Sequence, residues 1–165
     1  MCLDNGTVRH DQSRFSVSAA QQYARKGRLE EWVHMYLTTG HWANPAFSEG
    51  LKLQQRWWIG PTEIELATLS RAVGPEPGME YPGDADNWQQ CTSAMAQSMT
   101  NLLSIPPLIV EYRNGELSVR DGNTRHGAMT LKGWTTCWVL IWYNAKADYL
   151  HHRAGLGLED EPCNA

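Results

Sequence analysis

A chain of 165 residues with 42% hydrophobic content is long enough for one domain with a sizeable core, burying roughly 70% of its unfolded surface. Its formal charge of −4 argues against a broad basic face and so against nucleic acid as a partner, although a local basic pocket is compatible with it. Cys2, Cys91, Cys137 and Cys163 lie far apart without a C-x-x-C pair, and neither a signal peptide nor an apolar run of bilayer length is visible. A reducing cytoplasm and no membrane contact are the expectation.

Residues 1–15 are polar and unpatterned and read as a flexible arm. A helical pattern begins at Val17, falters at Gly27 and resumes at Arg28, with Glu30 and Glu31 at the positive end of the helix dipole. Trp32, Val33, Tyr36 and Leu37 form its apolar stripe, and Gly40 closes it. Asn44-Pro45 is a helix start, asparagine as cap and proline at the first position. Phe47, Leu51 and Trp58 then share one face until Gly60-Pro61 stops the run. Residues 16–58 are expected to form a helical extension packed on a core domain at 59–153, followed by a tail at 154–165 whose Glu159-Asp160-Glu161 is solvated.

Ile64 and Leu66 alternate with Glu63 and Glu65 as in a half-exposed strand, although Leu66, Leu69 and Val73 could equally begin a helical turn. Gly74 to Gly83 is rich in glycine and proline and reads as a loop carrying Glu76 and Glu80. With Asp84 or Asp86 as cap, Trp88, Cys91, Met95, Met99 and Leu102 repeat at helical spacing, a stripe expected in the core with Cys91 as an inert buried thiol. The eight tryptophans are read mainly as core residues.

The most informative stretch runs from Pro107 to Gly133. Pro107 to Tyr112 is β-rich, Asn114-Gly115 signals a type I′ turn, and Leu117 and Val119 alternate on the returning strand. Asp121-Gly122-Asn123 breaks that strand, and Arg125 to Lys132 reads as a short helix closed by Gly133. A glycine loop between strand and helix aims the first N–H groups of the helix at one point that favours anions, with Arg125 and His126 beside it. The bland alternative is a tight turn with Asn123 or Thr124 as the helix cap. Thr136 to Tyr143 is apolar on both faces and should be a central strand. His151 and His152 are adjacent on a helix and point to different sides, so with Cys163 or Asp148 they make no convincing metal set.

Residues 106–142 resemble the core of the ParB/sulfiredoxin-like superfamily, in which a hairpin, a Gly-x-x-Arg loop and a helix bind nucleotide phosphates. The matching residues are Asp121-Gly122-Asn123-Thr124-Arg125, similar to the Asp-Gly-His-Thr-Arg of ADP-dependent free serine kinases with Asn123 in place of histidine. Glu63–Leu66 and Gly74–Glu80 resemble, more loosely, the first strand and its following loop. Asn123 also stands where sulfiredoxin needs a cysteine, which argues against sulfinic-acid repair. Thr124 replaces the first of the two arginines of partition proteins, and no helix-turn-helix follows.

The resemblance implies an α+β fold, a mixed sheet with flanking helices, and a nucleotide (ATP, ADP or CTP) with Mg²⁺ as cofactor. It also implies roles. Gly122, Asn123, Thr124, Arg125 and His126 would bind the nucleotide phosphates, with Arg125 supplying a planar fork and having no role in the core. Asp121 would hold Mg²⁺ or an acceptor hydroxyl, and Glu80 or Glu76 would be the catalytic base. A phosphotransferase acting on a small hydroxylated substrate is one reading, since phosphoryl transfer asks mainly for anchored phosphates and an oriented acceptor. A non-catalytic, nucleotide-switched module with a protein partner is a second, favoured by the helical extension. A ParB-like nuclease or DNA-binding protein is a third, opposed by the acidic charge.

Overall fold

A computed structural model describes residues 14–158. Most of the expected arm, the acidic triplet at 159–161, Cys2 and Cys163 lie outside the described residues. The elements are α1 (Val17–Arg25), α2 (Leu29–Thr39), α3 (Pro45–Leu51), β1 (Trp57–Glu65), β2 (Leu69–Arg71), β3 (Val73–Gly74), β4 (Tyr81–Pro82), α4 (Ala85–Ser98), β5 (Leu108–Arg113), β6 (Glu116–Asp121), α5 (Asn123–Leu131), β7 (Thr136–Tyr143) and α6 (Lys146–Gly155).

Local chemistry explains most boundaries. The Ser16 hydroxyl accepts from the amide of Ala19, the Asn44 side chain from Phe47, and the Asp84 carboxylate from Asn87, so α1, α3 and α4 each begin on a side-chain cap. Asn114 and Gly115 both have positive φ, 54° and 81°, as a type I′ turn requires between β5 and β6. Gly133, at φ 72°, closes α5 in the left-handed conformation.

Five strands form a mixed sheet in the order β1-β7-β5-β6-β2, with β7 antiparallel to β1 and parallel to β5. β7 is interior, as its two apolar faces demand. Cys137, Val139, Ile141 and Tyr143 point to one core, with Val110, Val119 and Met129. Leu140 and Trp142 point to the other, where Ile109 meets Trp32, Val33, Tyr36 and Leu37 of α2. Helices therefore cover both faces: α1–α3 on one, α4 and α5 on the other. The fold is α+β, as expected, and the N-terminal helices are one of its layers.

Three expectations need correction. Gly60-Pro61 does not end a run: β1 starts at Trp57 and passes through that dipeptide, its pairing to β7 interrupted between Ile59 and Thr62. Trp58 thus belongs to the sheet, and the expected boundary at 58/59 falls inside a strand. The stripe begun on α4 meets the core at its C-terminal end, where Met99 is buried and Met95 and Leu102 pack against the same cluster, while Trp88 and Cys91 are half-buried. Cys91 is half-buried and disulfide-bonded, which replaces the expected inert buried thiol. The loop at 74–83 is also more ordered than its composition suggests, since β3 and β4 pair in parallel across it.

Cys137 is fully buried and free, and burial pushes its thiol up to about 12, with the nearby Glu63 carboxylate adding to the shift. Peptide-level mapping after a brief thiol-reagent pulse should therefore leave Cys137 unlabelled in the native protein and label it in denaturant. Native labelling at the rate of an exposed thiol would contradict this placement.

Candidate functional site

β6 ends at Asp121 and α5 starts at Asn123, so the chain reverses in a single residue. Gly122 permits this at φ 94°, a conformation that L side chains rarely adopt. A Cβ there would also sit 2.6 Å from the Leu108 side chain and 2.7 Å from an Arg125 guanidinium nitrogen. Glycine is therefore required on both counts.

The tight reversal leaves the first turn of α5 open. Gly122 is the cap residue and offers no side chain; the first amide with a helical acceptor is His126, bonded to the Gly122 carbonyl at 2.9 Å. Among the described residues, no group accepts from the N–H of Asn123, Thr124 or Arg125. The capping alternative fails, because the Asn123 side chain is committed elsewhere. Its Oδ1 accepts from the amides of Ala72 (2.9 Å) and Val73 (3.2 Å), and its Nδ2 donates to the Val119 carbonyl. That side chain clips α5 to the β2–β3 connection and only the backbone of Asn123 remains available.

These amides border a cavity of about 390 Å³. Asp121 to Arg125 form one wall, Cys91, Ala94, Met95 and Ser98 of α4 another, and His41 and Trp42 a third. A narrower extension of about 110 Å³ continues past Trp42 toward Tyr36 and Met99.

Arg125 departs most from expectation. Its side chain is only 3% exposed. One guanidinium nitrogen donates to the Tyr36 hydroxyl (2.9 Å), the other to the Pro107 carbonyl (3.1 Å) and the Asp121 carboxylate (3.2 Å). Burial disfavours its charge, but Tyr36 and Asp121 outweigh this and hold the guanidinium charged. The same burial raises the Tyr36 hydroxyl above its ordinary value. The expectation that Arg125 lacks a core role is therefore overturned: it joins α2, the start of β5, the end of β6 and α5. It still borders the cavity, and its buried Nε has no hydrogen-bond partner among the described residues.

The other expected site residues are dispersed. Asp121 borders the cavity as the partner of Arg125. Glu80 pairs with Arg120 at 2.7 Å, and Arg120 borders the cavity while also lying 3.0 Å from buried Glu111. Glu76 pairs with Arg71, beneath which Trp88 lies at 4.6 Å, and does not reach the cavity. His126 borders a separate, mostly apolar hollow of about 650 Å³ beside Leu66 and Trp134. Burial holds its imidazole below the usual histidine range, against the Leu66 carbonyl 3.4 Å away. Its side chain does not border the cavity at the first turn of α5.

Sequence reasoning missed Trp42, His41, Arg120 and the α4 wall. Trp42 carried one readable signal: it stands in a short loop between Gly40 and Asn44-Pro45, outside any apolar periodicity. Among the described residues, no cluster of three or more histidine, cysteine or acidic side chains could hold a metal. Nor is any helix long and apolar enough to cross a membrane.

No protein-family model and no curated protein matches this sequence. Solved structures that do match include sulfiredoxin from Arabidopsis thaliana, at 20% identity and a TM-score of 0.35, covering 58% of this chain and 96% of that one. A C-terminally truncated chromosome-partitioning protein ParB from Caulobacter crescentus, complexed with CTP-gamma-S, matches at 14% identity and a TM-score of 0.37. That match covers 62% of this chain and 56% of ParB.

Arg125→Ala would strand the Asp121 carboxylate and the Tyr36 hydroxyl in a largely buried setting. Removing one partner of a buried ion pair costs about 3–5 kcal/mol. Urea unfolding of Arg125→Ala should show a loss of that order, with Arg125→Lys intermediate because an ammonium keeps the charge but not the fork. A stability equal to wild type would show that the arginine joins nothing.

Proposed function

We propose that this chain binds a nucleotide through its phosphates at the first turn of α5. The observation that carries this reading is the set of N–H groups at Asn123, Thr124 and Arg125, which lack acceptors among the described residues and border a cavity. A helix of nine residues begins there, and its dipole adds to the local positive potential. Both cavity arginines are already paired with carboxylates, Arg125 with Asp121 and Arg120 with Glu80 and Glu111. The amides are therefore the groups with unused capacity for an anion.

The cofactor expectation of Mg²⁺ fits this arrangement in a limited way. Mg²⁺ is commonly held by one or two carboxylates together with substrate phosphates and water, and Asp121 is the carboxylate on the cavity wall. When bound, the ion would neutralise phosphate charge. The chain's own residues would do the rest: the α5 amides orient the phosphate, and Arg125 fixes the turn from behind.

Two uses of such a site are supported. Phosphoryl transfer to a small hydroxylated acceptor needs positioning more than covalent chemistry. In that reading Asp121 is placed to orient the acceptor, and Glu80 is the candidate base, because it meets the cavity wall through Arg120 and Glu76 does not. A nucleotide-dependent switch is favoured by a different observation. The Arg125–Tyr36 hydrogen bond ties the anion-facing turn directly to α2 of the N-terminal layer, which a protein partner could read.

Calorimetric titration with ADP, ATP and CTP in the presence of Mg²⁺ tests the binding. Incubation with small hydroxylated acceptors, serine included, followed by mass detection of phosphorylated product, separates the two uses. Saturable binding of at least one nucleotide is expected, weakened in Gly122→Ala, whose methyl collides with Arg125. Absence of binding by all three nucleotides would overturn the proposal. Binding without any product would select the switch.

A further inference from the structure

We propose that Trp42 is the surface on which the nucleobase stacks, so that the loop between α2 and α3 supplies the base-recognising wall of the cavity. This deepens the nucleotide reading above and depends on it. All eight tryptophans lie among the described residues, and Trp42 alone is exposed, at 36%. Its indole borders both the main cavity and the narrower extension, and so do His41, Met95 and Arg125.

The placement is built. The Arg125 guanidinium lies 5.4 Å from the Trp42 ring centroid, a cation–π contact that anchors the indole at the cavity. The His41 ring meets it edge-on at 5.1 Å. Arg125 thereby links the two halves of the cavity: its backbone N–H belongs to the anion-facing turn, and its side chain touches the indole. Its buried Nε, without a hydrogen-bond partner among the described residues, belongs to the same wall. Met95 offers a soft apolar surface across the cavity, suited to an aromatic ring of any base. Stacking of a base on an aromatic side chain is sequence-tolerant and worth about 1–3 kcal/mol. A structural role explains the position less well, because a third of this large apolar residue stays in contact with water.

The test compares full-length wild type, Trp42→Ala and Trp42→Phe, each titrated with ADP, ATP, CTP and inorganic tripolyphosphate, which has no base. For nucleotides that bind wild type, Trp42→Ala should lose about ten-fold in affinity, the lower part of the stacking range. Its affinity for tripolyphosphate should stay within about two-fold, and Trp42→Phe should recover most of the loss. Nucleotide, but not tripolyphosphate, should also quench tryptophan fluorescence in wild type, and this quenching should shrink in Trp42→Phe. Equal loss for nucleotide and tripolyphosphate, or no loss for either, overturns the base wall, as does quenching that Trp42→Phe retains. Tripolyphosphate binding as tight as nucleotide binding in wild type overturns the base wall and leaves the anion turn standing. If no probe binds wild type, both readings fall together.

Discussion

A buried arginine at the first turn of a helix is the constraint around which this molecule is arranged. Charge on Arg125 lies beside the positive end of the α5 dipole, an adverse position, and burial adds a desolvation cost. The position is tenable because Asp121, Tyr36 and the Pro107 carbonyl converge on the guanidinium. Each comes from a different part of the chain: the end of β6, α2, and the approach to β5. Satisfying one cation thus fixes the distance between the N-terminal helical layer and the glycine turn. Gly122 completes the constraint, since any side chain there would occupy the space of Leu108 and Arg125.

The cavity follows from that arrangement. With the Asn123 side chain drawn to the β2–β3 connection and the Arg125 side chain drawn inward, the first turn of α5 keeps its backbone N–H groups unobstructed. Gly127 lets α4 approach closely, its missing Cβ leaving room for Trp88 and Thr92. The methionine and small residues of α4 then close the second wall. Because both cavity arginines pair with carboxylates, hydrogen-bond geometry, and not excess charge, is what this cavity offers a ligand.

What could be read from the sequence was local. The β5–β6 hairpin, the caps of α3 and α4, the glycine turn before α5 and the interior position of β7 all follow from neighbouring residues. The misreadings were of two kinds. Gly60-Pro61 looked like a stop, yet pairing with β7 carries β1 through it, since tertiary hydrogen bonding outweighs a local breaker. The stripe from Trp88 to Leu102 does reach the core through Met95, Met99 and Leu102, but periodicity does not say what else a face meets, and here Cys91 and Met95 border the cavity. The expectation that Arg125 has no core role failed for the same reason, and the His126 side chain borders a different hollow. Their side chains lie on the helix that the turn begins, and the packing of distant elements decides where each points. Tyr36 and Trp42, separated from the loop by some eighty residues of chain, left no trace in its pattern.

The central claim is that the α5 amides, freed by the burial of Arg125 and the commitment of Asn123, form an anion site. A two-dimensional amide NMR titration of the uniformly ¹⁵N-labelled protein with inorganic pyrophosphate tests it most directly. The account expects saturable shifts largest at the N–H groups of Asn123, Thr124 and Arg125, with smaller changes at Trp42. Saturation with those resonances unmoved, or with the largest shifts on a face remote from α5, would contradict it.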